Sequence, residues 1–313
     1  MKKAIVCLLL AFLLLFSCTA LGEEAPVAEI IVEDTLVSNP LPIDFTGGYA
    51  PQADGYKSET VYEDPTIRVS IEYKDAAPYV TGYRGRDAGY WVVDIQVGDA
   101  SQLRTAPAVS FDTKNDDEIA NIAERVNAVV AFNGDSPSYN SEGLIIRQGI
   151  TYRNKLKEKR DMLLIDEDGD FHVYHLPKKD TLSDTVDGKQ VINAFYFGPI
   201  LVEDGQPLKK LPSFAHLDPE KYYARIAICQ IGKLHYKMIL TTMEQSYTLG
   251  LPLKDFARLC ADEGAQIAFN LDGGLSTSLY FNHQRVNSQN KVNFRLIPDI
   301  IYFASAWNGE GQE

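Results

Sequence analysis

The sequence predicts an α+β fold, a strand-rich mixed or antiparallel sheet with a few packed helices, and three observations carry that reading. Short apolar or alternating runs recur from Thr66 to Phe303, as strands do. Only two stretches repeat apolar residues at helical spacing. Turn pairs such as Asp168-Gly169, Asp187-Gly188 and Asp204-Gly205 punctuate the runs closely. The composition, 45% hydrophobic and 23% charged, is ordinary for a globular chain and excludes collagen-like or wholly disordered architectures.

Taken in chain order, Lys2 and Lys3 precede a 13-residue apolar run, Ala4 to Phe16, with small residues after it. That run is too short to span a bilayer, so residues 1–22 read as a secretory signal. Ala20-Leu21-Gly22 offers an ordinary cleavage site, and Leu15-Phe16-Ser17-Cys18 offers the alternative of a lipid anchor on Cys18. Either places the mature protein outside the cell or on its surface. Residues 23–60, rich in Pro, Glu and Gly, read as an irregular tether or lead-in segment. Residues 61–306 read as one domain and 307–313 as a polar tail.

The first strands are expected at Thr66–Tyr73, Tyr90–Val97, Ala128–Asn133, Gly143–Arg147, Met162–Asp166 and Phe171–His175. The later ones are Phe195–Phe197, Ile200–Glu203, Tyr222–Ile231, Leu234–Thr242, Ala265–Leu271, Ser276–Phe281 and Leu296–Phe303. Ile119, Ile122, Ala123 and Val126 mark one helix, with Asp116, Asp117 and Glu118 at its positive end. Leu253, Phe256, Ala257 and Cys260 mark the other, between Pro252 and Gly264. Each helix leads into a similar strand end: Ala131-Phe132-Asn133-Gly134-Asp135 and Ala268-Phe269-Asn270-Leu271-Asp272. An internal pseudo-duplication would set these ends side by side and bring four oxygen-bearing side chains into one cleft.

In the second of these strands, alternation puts Ile267, Phe269 and Leu271 on one face and Ala268, Asn270 and Asp272 on the other. Gly273-Gly274 then lets backbone N–H groups approach a bound group, and Ser276 and Thr277 follow. An Asx-type turn joining two strands is the plainer reading of the same residues. A net charge of −13 argues against a nucleic-acid partner, which needs a basic surface. No zinc-protease, serine-hydrolase or phosphate-loop motif is present. Cys229 and Cys260 read as small core residues, and no disulfide framework is visible. Asn133, Asp135, Asn270 and Asp272 offer oxygens that calcium would accept, although no calcium-loop spacing appears; otherwise no metal or cofactor is expected.

Asn270-Leu271-Asp272-Gly273-Gly274-Leu275-Ser276-Thr277 resembles the Asn-Leu-Asp-Gly-Gly-Gly-Ser-Ser-Thr signature of the phosphodiester glycosidases. Ordered landmarks agree: Ala131-Phe132-Asn133-Gly134, Gly143-Leu144-Ile145-Ile146, Gly198-Pro199-Ile200-Leu201-Val202-Glu203-Asp204-Gly205, the Arg225-led strand, and Arg295-Leu296-Ile297-Pro298-Asp299. Three departures stand out. Leu275 replaces the third glycine, Asp135-Ser136 stands where aromatic residues are usual, and Met243-Glu244-Gln245 replaces an Asp-Gly-Arg.

The resemblance implies an exported hydrolase that cleaves the sugar–oxygen bond of a sugar-1-phosphodiester. Asp272, then Asp135, are the candidate catalytic carboxylates, since glycosidic cleavage passes through an oxocarbenium-like state. Arg225, Arg295 and the Gly273-Gly274 backbone would hold the phosphate, with Arg147 a weaker candidate. Asn133, Gly134, Asn270, Ser276 and Thr277 would contact the sugar or the phosphate oxygens. The rival reading is a non-catalytic cell-surface protein of the same fold that binds phosphoglycans.

Overall fold

The computed structural model describes residues 37–44, 47–80, 89–156, 160–177, 182–212, 217–241, 250–287 and 295–309. The signal sequence, Cys18 and Met243-Glu244-Gln245 lie outside the described residues. Among the described residues every strand pairing is antiparallel, in three sheets. The largest runs, in spatial order, Val61–Asp64, Ile67–Asp75, Gly89–Val97, His235–Thr241, Ile226–Gly232, Ile267–Asn270, Ile200–Glu203 and Gln206–Pro207. The second runs Gln284–Arg285, Leu279–Phe281, Ala128–Asn133, Asp299–Ala304 and Leu103–Pro107. The third is built on Ile150–Lys155, Gly143–Arg147, Lys189–Phe195, Met162–Asp166 and Phe171–Tyr174.

The first two sheets pack face to face. Val69, Val93, Ile228, Met238 and Phe269 of one meet Val130, Phe132, Phe281, Ile301 and Phe303 of the other in one core. The helix α1, Ile119–Arg125, covers the outer face of the second sheet through Ile119, Ile122 and Ala123. The helix α2, Leu253–Asp262, covers the outer face of the first through Phe256, Leu259 and Cys260. Both helices therefore bury the stripe that their apolar spacing marks. Cys229 and Cys260 are buried free thiols in that outer layer.

Several boundaries differ from the sequence expectation, for local reasons. The strand expected at Leu296–Phe303 is Asp299–Ala304, starting after Pro298, which has no N–H to give a ladder. The one expected at Ser276–Phe281 is only Leu279–Phe281, because Gly274 at φ +63° turns the chain into a single 3₁₀ turn, Gly274–Ser276. Phe195 ends a longer strand, Lys189–Phe195, rather than starting one. Leu103–Pro107 gives no strand signal in the sequence, with Arg104, Thr105 and Pro107 among its five residues, yet it forms the edge of the second sheet. Arg104 is buried there, donating to Pro42 O at 2.8 Å, Asp44 O at 2.6 Å and Tyr302 Oη at 3.1 Å. These bonds dock residues 41–44 on the sheet, and Leu41 is buried with them.

Candidate active site

The strands Ala128–Asn133 and Ile267–Asn270 belong to different sheets, but their C-terminal ends meet. Asn133 Nδ2 donates to Asp272 O at 2.6 Å, and Asn133 Oδ1 accepts from Ser278 N at 3.0 Å. At this junction a cleft of about 550 Å³ opens, within the usual range for small-molecule sites. Asp272, Ser136, Ser276, Asn140, Arg295, Arg160 and Asp116 supply its polar lining; Tyr139, Phe197, Leu217, Leu296 and Pro298 supply the rest.

Asp272 reaches the cleft because Phe269 and Leu271 are drawn into the inter-sheet core, turning the following residue outward. It is half-buried, and its Oδ2 accepts from Ser136 Oγ at 2.7 Å. Burial raises its pKa above the ordinary carboxylate value. Hydrogen bonds from Ser136 and Ser276 and the charge of Arg295 oppose that rise, and the charge of Asp135 adds to it. Ser136 sits in the left-handed region at φ +54°, uncommon for a serine. Its backbone N donates to Asp299 Oδ1 at 3.0 Å and its hydroxyl to Asp272, so both its polar arms are spent holding this geometry.

The glycines of the signature serve close packing. A Cβ on Gly273 would lie 2.5 Å from Ala224 O, so only glycine lets the loop pass the chain leading into the strand Ile226–Gly232. Gly274 N donates to Ala224 O at 2.8 Å, so that N–H is engaged within the protein and does not face an anion. Leu275, in place of the third glycine, is partly exposed.

Asp135 is not in the cleft. It is buried, receives Arg147 Nη2 at 2.5 Å, and accepts from Tyr196 N at 2.8 Å. Arg147 is fully buried too, its guanidinium 4.5 Å from the Phe195 ring centroid and bonded to Ile146 O and Ala194 O. The second carboxylate that the signature pairing suggests is therefore half of an interior ion pair, and Arg147 is unavailable to a phosphate. Arg225 is likewise turned away. Its Nε donates to Leu251 O at 3.0 Å and its Nη2 to Lys221 O at 2.8 Å and Asp218 O at 3.1 Å, and burial lowers its pKa to about 10. It ties a loop to the strand start, so the cation expected to bind phosphate there is structural.

Asn270 is buried, its Nδ2 donating to Gly198 O at 2.8 Å. Gly134 N donates to Asp299 O at 3.0 Å, and a Cβ at Gly134 would collide with the Asp299 carboxylate. Thr277 is buried behind Ser276. Of the four side chains considered for calcium, Asp135 has both oxygens engaged, by Arg147 and by the Tyr196 N–H. Among the described residues no group of three or more His, Cys, Asp or Glu is arranged to hold a metal ion. Of the residues named from sequence, the structure brings Asp272, Ser276 and Arg295 together on the cleft. Asn133, Gly134, Asn270, Gly273, Gly274 and Thr277 do not line it; they lie at the strand junction and in the loop around Asp272.

Two residues were not anticipated. Arg160 lines the cleft beside Phe197, 5.5 Å from the ring centroid, and nothing in the charged stretch Lys157–Arg160 marks it out. Asp299 is fully buried behind Ser136, and its Oδ2 has no hydrogen-bond partner. Burial and then the charge of Asp135 push its pKa up to about 8, against the pull of Arg147 and the Ser136 N–H. Asp299 is therefore protonated across most of the physiological range. One signal in the sequence pointed to it: an aspartate opening the otherwise apolar run Asp299–Ala304, every residue of which is buried.

Comparison with known proteins agrees with this frame. No curated protein sequence matches the chain. Among solved structures, the catalytic domain of zebrafish N-acetylglucosamine-1-phosphodiester α-N-acetylglucosaminidase, auto-inhibited by its pro-peptide, superposes with a TM-score of 0.61 at 16% identity. It covers 82% of this chain and 87% of its own. A hypothetical protein from Synechocystis (TM-score 0.49, 15% identity, 76% of this chain and 62% of that one) also matches. So does a putative exported protein from Burkholderia pseudomallei (0.47, 12%, 73% and 76%). The first likeness establishes the shared fold. The sequence profile of the phosphodiester glycosidases matches residues 124–304, more than half of the chain and the whole of the cleft junction. The chain belongs to the phosphodiester glycosidase family.

Proposed function

We propose that the protein is an exported hydrolase that cleaves the sugar–oxygen bond of a sugar-1-phosphodiester in the Asp272 cleft. The observation that carries this is one half-buried carboxylate, oriented by a serine, in a cleft that also presents two arginines. As the anomeric C–O bond breaks, its electron pair leaves with the phosphate oxygen and positive charge builds on the sugar. Asp272 stabilises that charge, by direct attack or by activating water. Arg295 and Arg160 stabilise the departing phosphate monoester. A phosphate monoester is a weak base and needs no strong proton donor, which suits a cleft whose other candidate, Asp135, is locked to Arg147. Asp299 acts as a positioning residue: it holds Ser136, and Ser136 holds Asp272.

Hydrolysis of sugar-1-phosphodiesters in oxygen-18 water tests the reading. Label should enter the released sugar, and matched alkyl glycosides should be nearly inert. Label in the phosphate would mean phosphorus–oxygen cleavage and overturn it. Tight binding of the diester with no product at all would instead favour the non-catalytic phosphoglycan binder.

A further inference from the structure

A second cavity, of about 660 Å³, adjoins the Asp272 cleft, and the two share Tyr139 and Asn140 as a common wall. Tyr139 stands half exposed on the single 3₁₀ turn Pro137–Tyr139, immediately after Ser136. The turn is held rigidly: Arg153 Nη1 donates to Pro137 O at 3.0 Å and Asn140 O at 2.6 Å, and Tyr139 Oη donates to Asp116 at 2.6 Å. The Asp272 cleft balances two arginines against two aspartates, whereas on the far side of the tyrosine basic residues outnumber acidic ones. Lys114, Arg153 and Lys155 line the second cavity; Arg153 is spent on the turn's carbonyls and lies 4.0 Å from the Asp112 carboxylate, so the two exposed lysines carry the excess positive charge. Lys114 Nζ lies 5.4 Å from the Tyr139 ring centroid. Ser138, more than nine-tenths buried and lining the same cavity, has a hydroxyl without a hydrogen-bond partner. A cationic cavity is unusual on a chain of net charge −13, and its cations and unused hydroxyl suit an anion that accepts hydrogen bonds.

We infer that this cavity is a subsite for a second phosphate-bearing sugar of the same ligand, so that the ligand is a glycan phosphorylated at repeated positions. The Tyr139 ring, between the cavities, offers an aromatic edge past which a sugar backbone would run. The inference rests on the proposed reaction for its choice of phosphate as the anion, but its test does not depend on turnover.

The full chain carrying Asp272→Asn is titrated calorimetrically with three synthetic ligands matched in length: one with a single sugar-1-phosphodiester, one with two, and one whose second phosphate is replaced by a uronate. The expected result is about tenfold or greater tightening from one phosphate to two, with the uronate ligand close to the single-phosphate value. The pair Lys114→Ala and Lys155→Ala, both exposed and so safe for folding, should collapse the ratio of the two affinities toward one. Equal affinity for one and two phosphates, a ratio that survives the double substitution, or a uronate as good as the phosphate would each overturn the subsite. Turnover by the unsubstituted chain is scored separately, so loss of the proposed reaction and loss of the subsite are distinguishable.

Discussion

The two strand ends that begin with the same residues come to opposite states. After Ala131-Phe132-Asn133, the aspartate at 135 turns inward and is neutralised by Arg147. After Ala268-Phe269-Asn270, the aspartate at 272 turns outward and is only half-buried, with a serine as its partner. Both follow a helix and an apolar strand, so the strands themselves do not separate them. Their neighbours do. Asp135 follows Gly134, whose missing side chain admits the Asp299 carboxylate, and it faces an arginine fixed between aromatic rings. Asp272 follows a leucine anchored in the inter-sheet core and precedes a glycine that slips past Ala224 O. One carboxylate is placed inside an ion pair and the other on the wall of the cleft.

The sharpest way to break this contrast is to neutralise each aspartate. Asp272→Asn keeps the shape and removes the charge, so kcat on a sugar-1-phosphodiester should fall about 10³-fold or more while thermal unfolding barely changes. Near-normal turnover by a folded Asp272→Asn protein would remove Asp272 from the chemistry. Because its pKa is raised, activity should also decline with acid at a pH above the ordinary aspartate value of about 4, read from a kcat/KM profile.

Asp135→Asn should do the reverse and strike stability first. It leaves Arg147 buried without its carboxylate, a loss of about 3–5 kcal/mol in similar cases. Asp299 can release its proton and take over part of the pairing, so the loss should be smaller at pH 8 than at pH 5. Urea unfolding at both values checks this, and equal losses would show that Asp299 does not share the arginine.

Asp299→Asn tests the buried proton directly, through the pH dependence of stability rather than through activity. In the folded chain Asp299 keeps its proton up to about pH 8, whereas in the unfolded chain it loses it near pH 3.8. Its raised pKa therefore contributes stability that is fully present below the lower value and is lost as pH rises through the upper one. The asparagine variant lacks this dependence. The stability of the native chain relative to the variant should decline between about pH 4 and pH 8, then level off. A flat difference across that window would contradict the protonated state.

Much of this molecule was legible along the chain. Apolar spacing marked both helices and most strands, because burying one face imposes a period that any reader can count. The signature around Asp272 located the cleft, since the alternation of Phe269 and Leu271 with Asp272 already assigns the aspartate to the other face. The partners of each charge were not legible. Arg225 and Arg295 look equally suited to a phosphate in sequence, yet carbonyls at 218, 221 and 251 consume the first and leave the second on the cleft. Asp135 and Arg147 are twelve residues apart and meet because strand and turn fold back on each other. Asp299 lies 163 residues beyond the Ser136 amide it accepts from. Periodicity is a local property, so the sequence alone determined which residues go inside. Pairing of charge depends on distances between segments remote in the chain, so only the tertiary structure decided which buried or half-buried group is left to act.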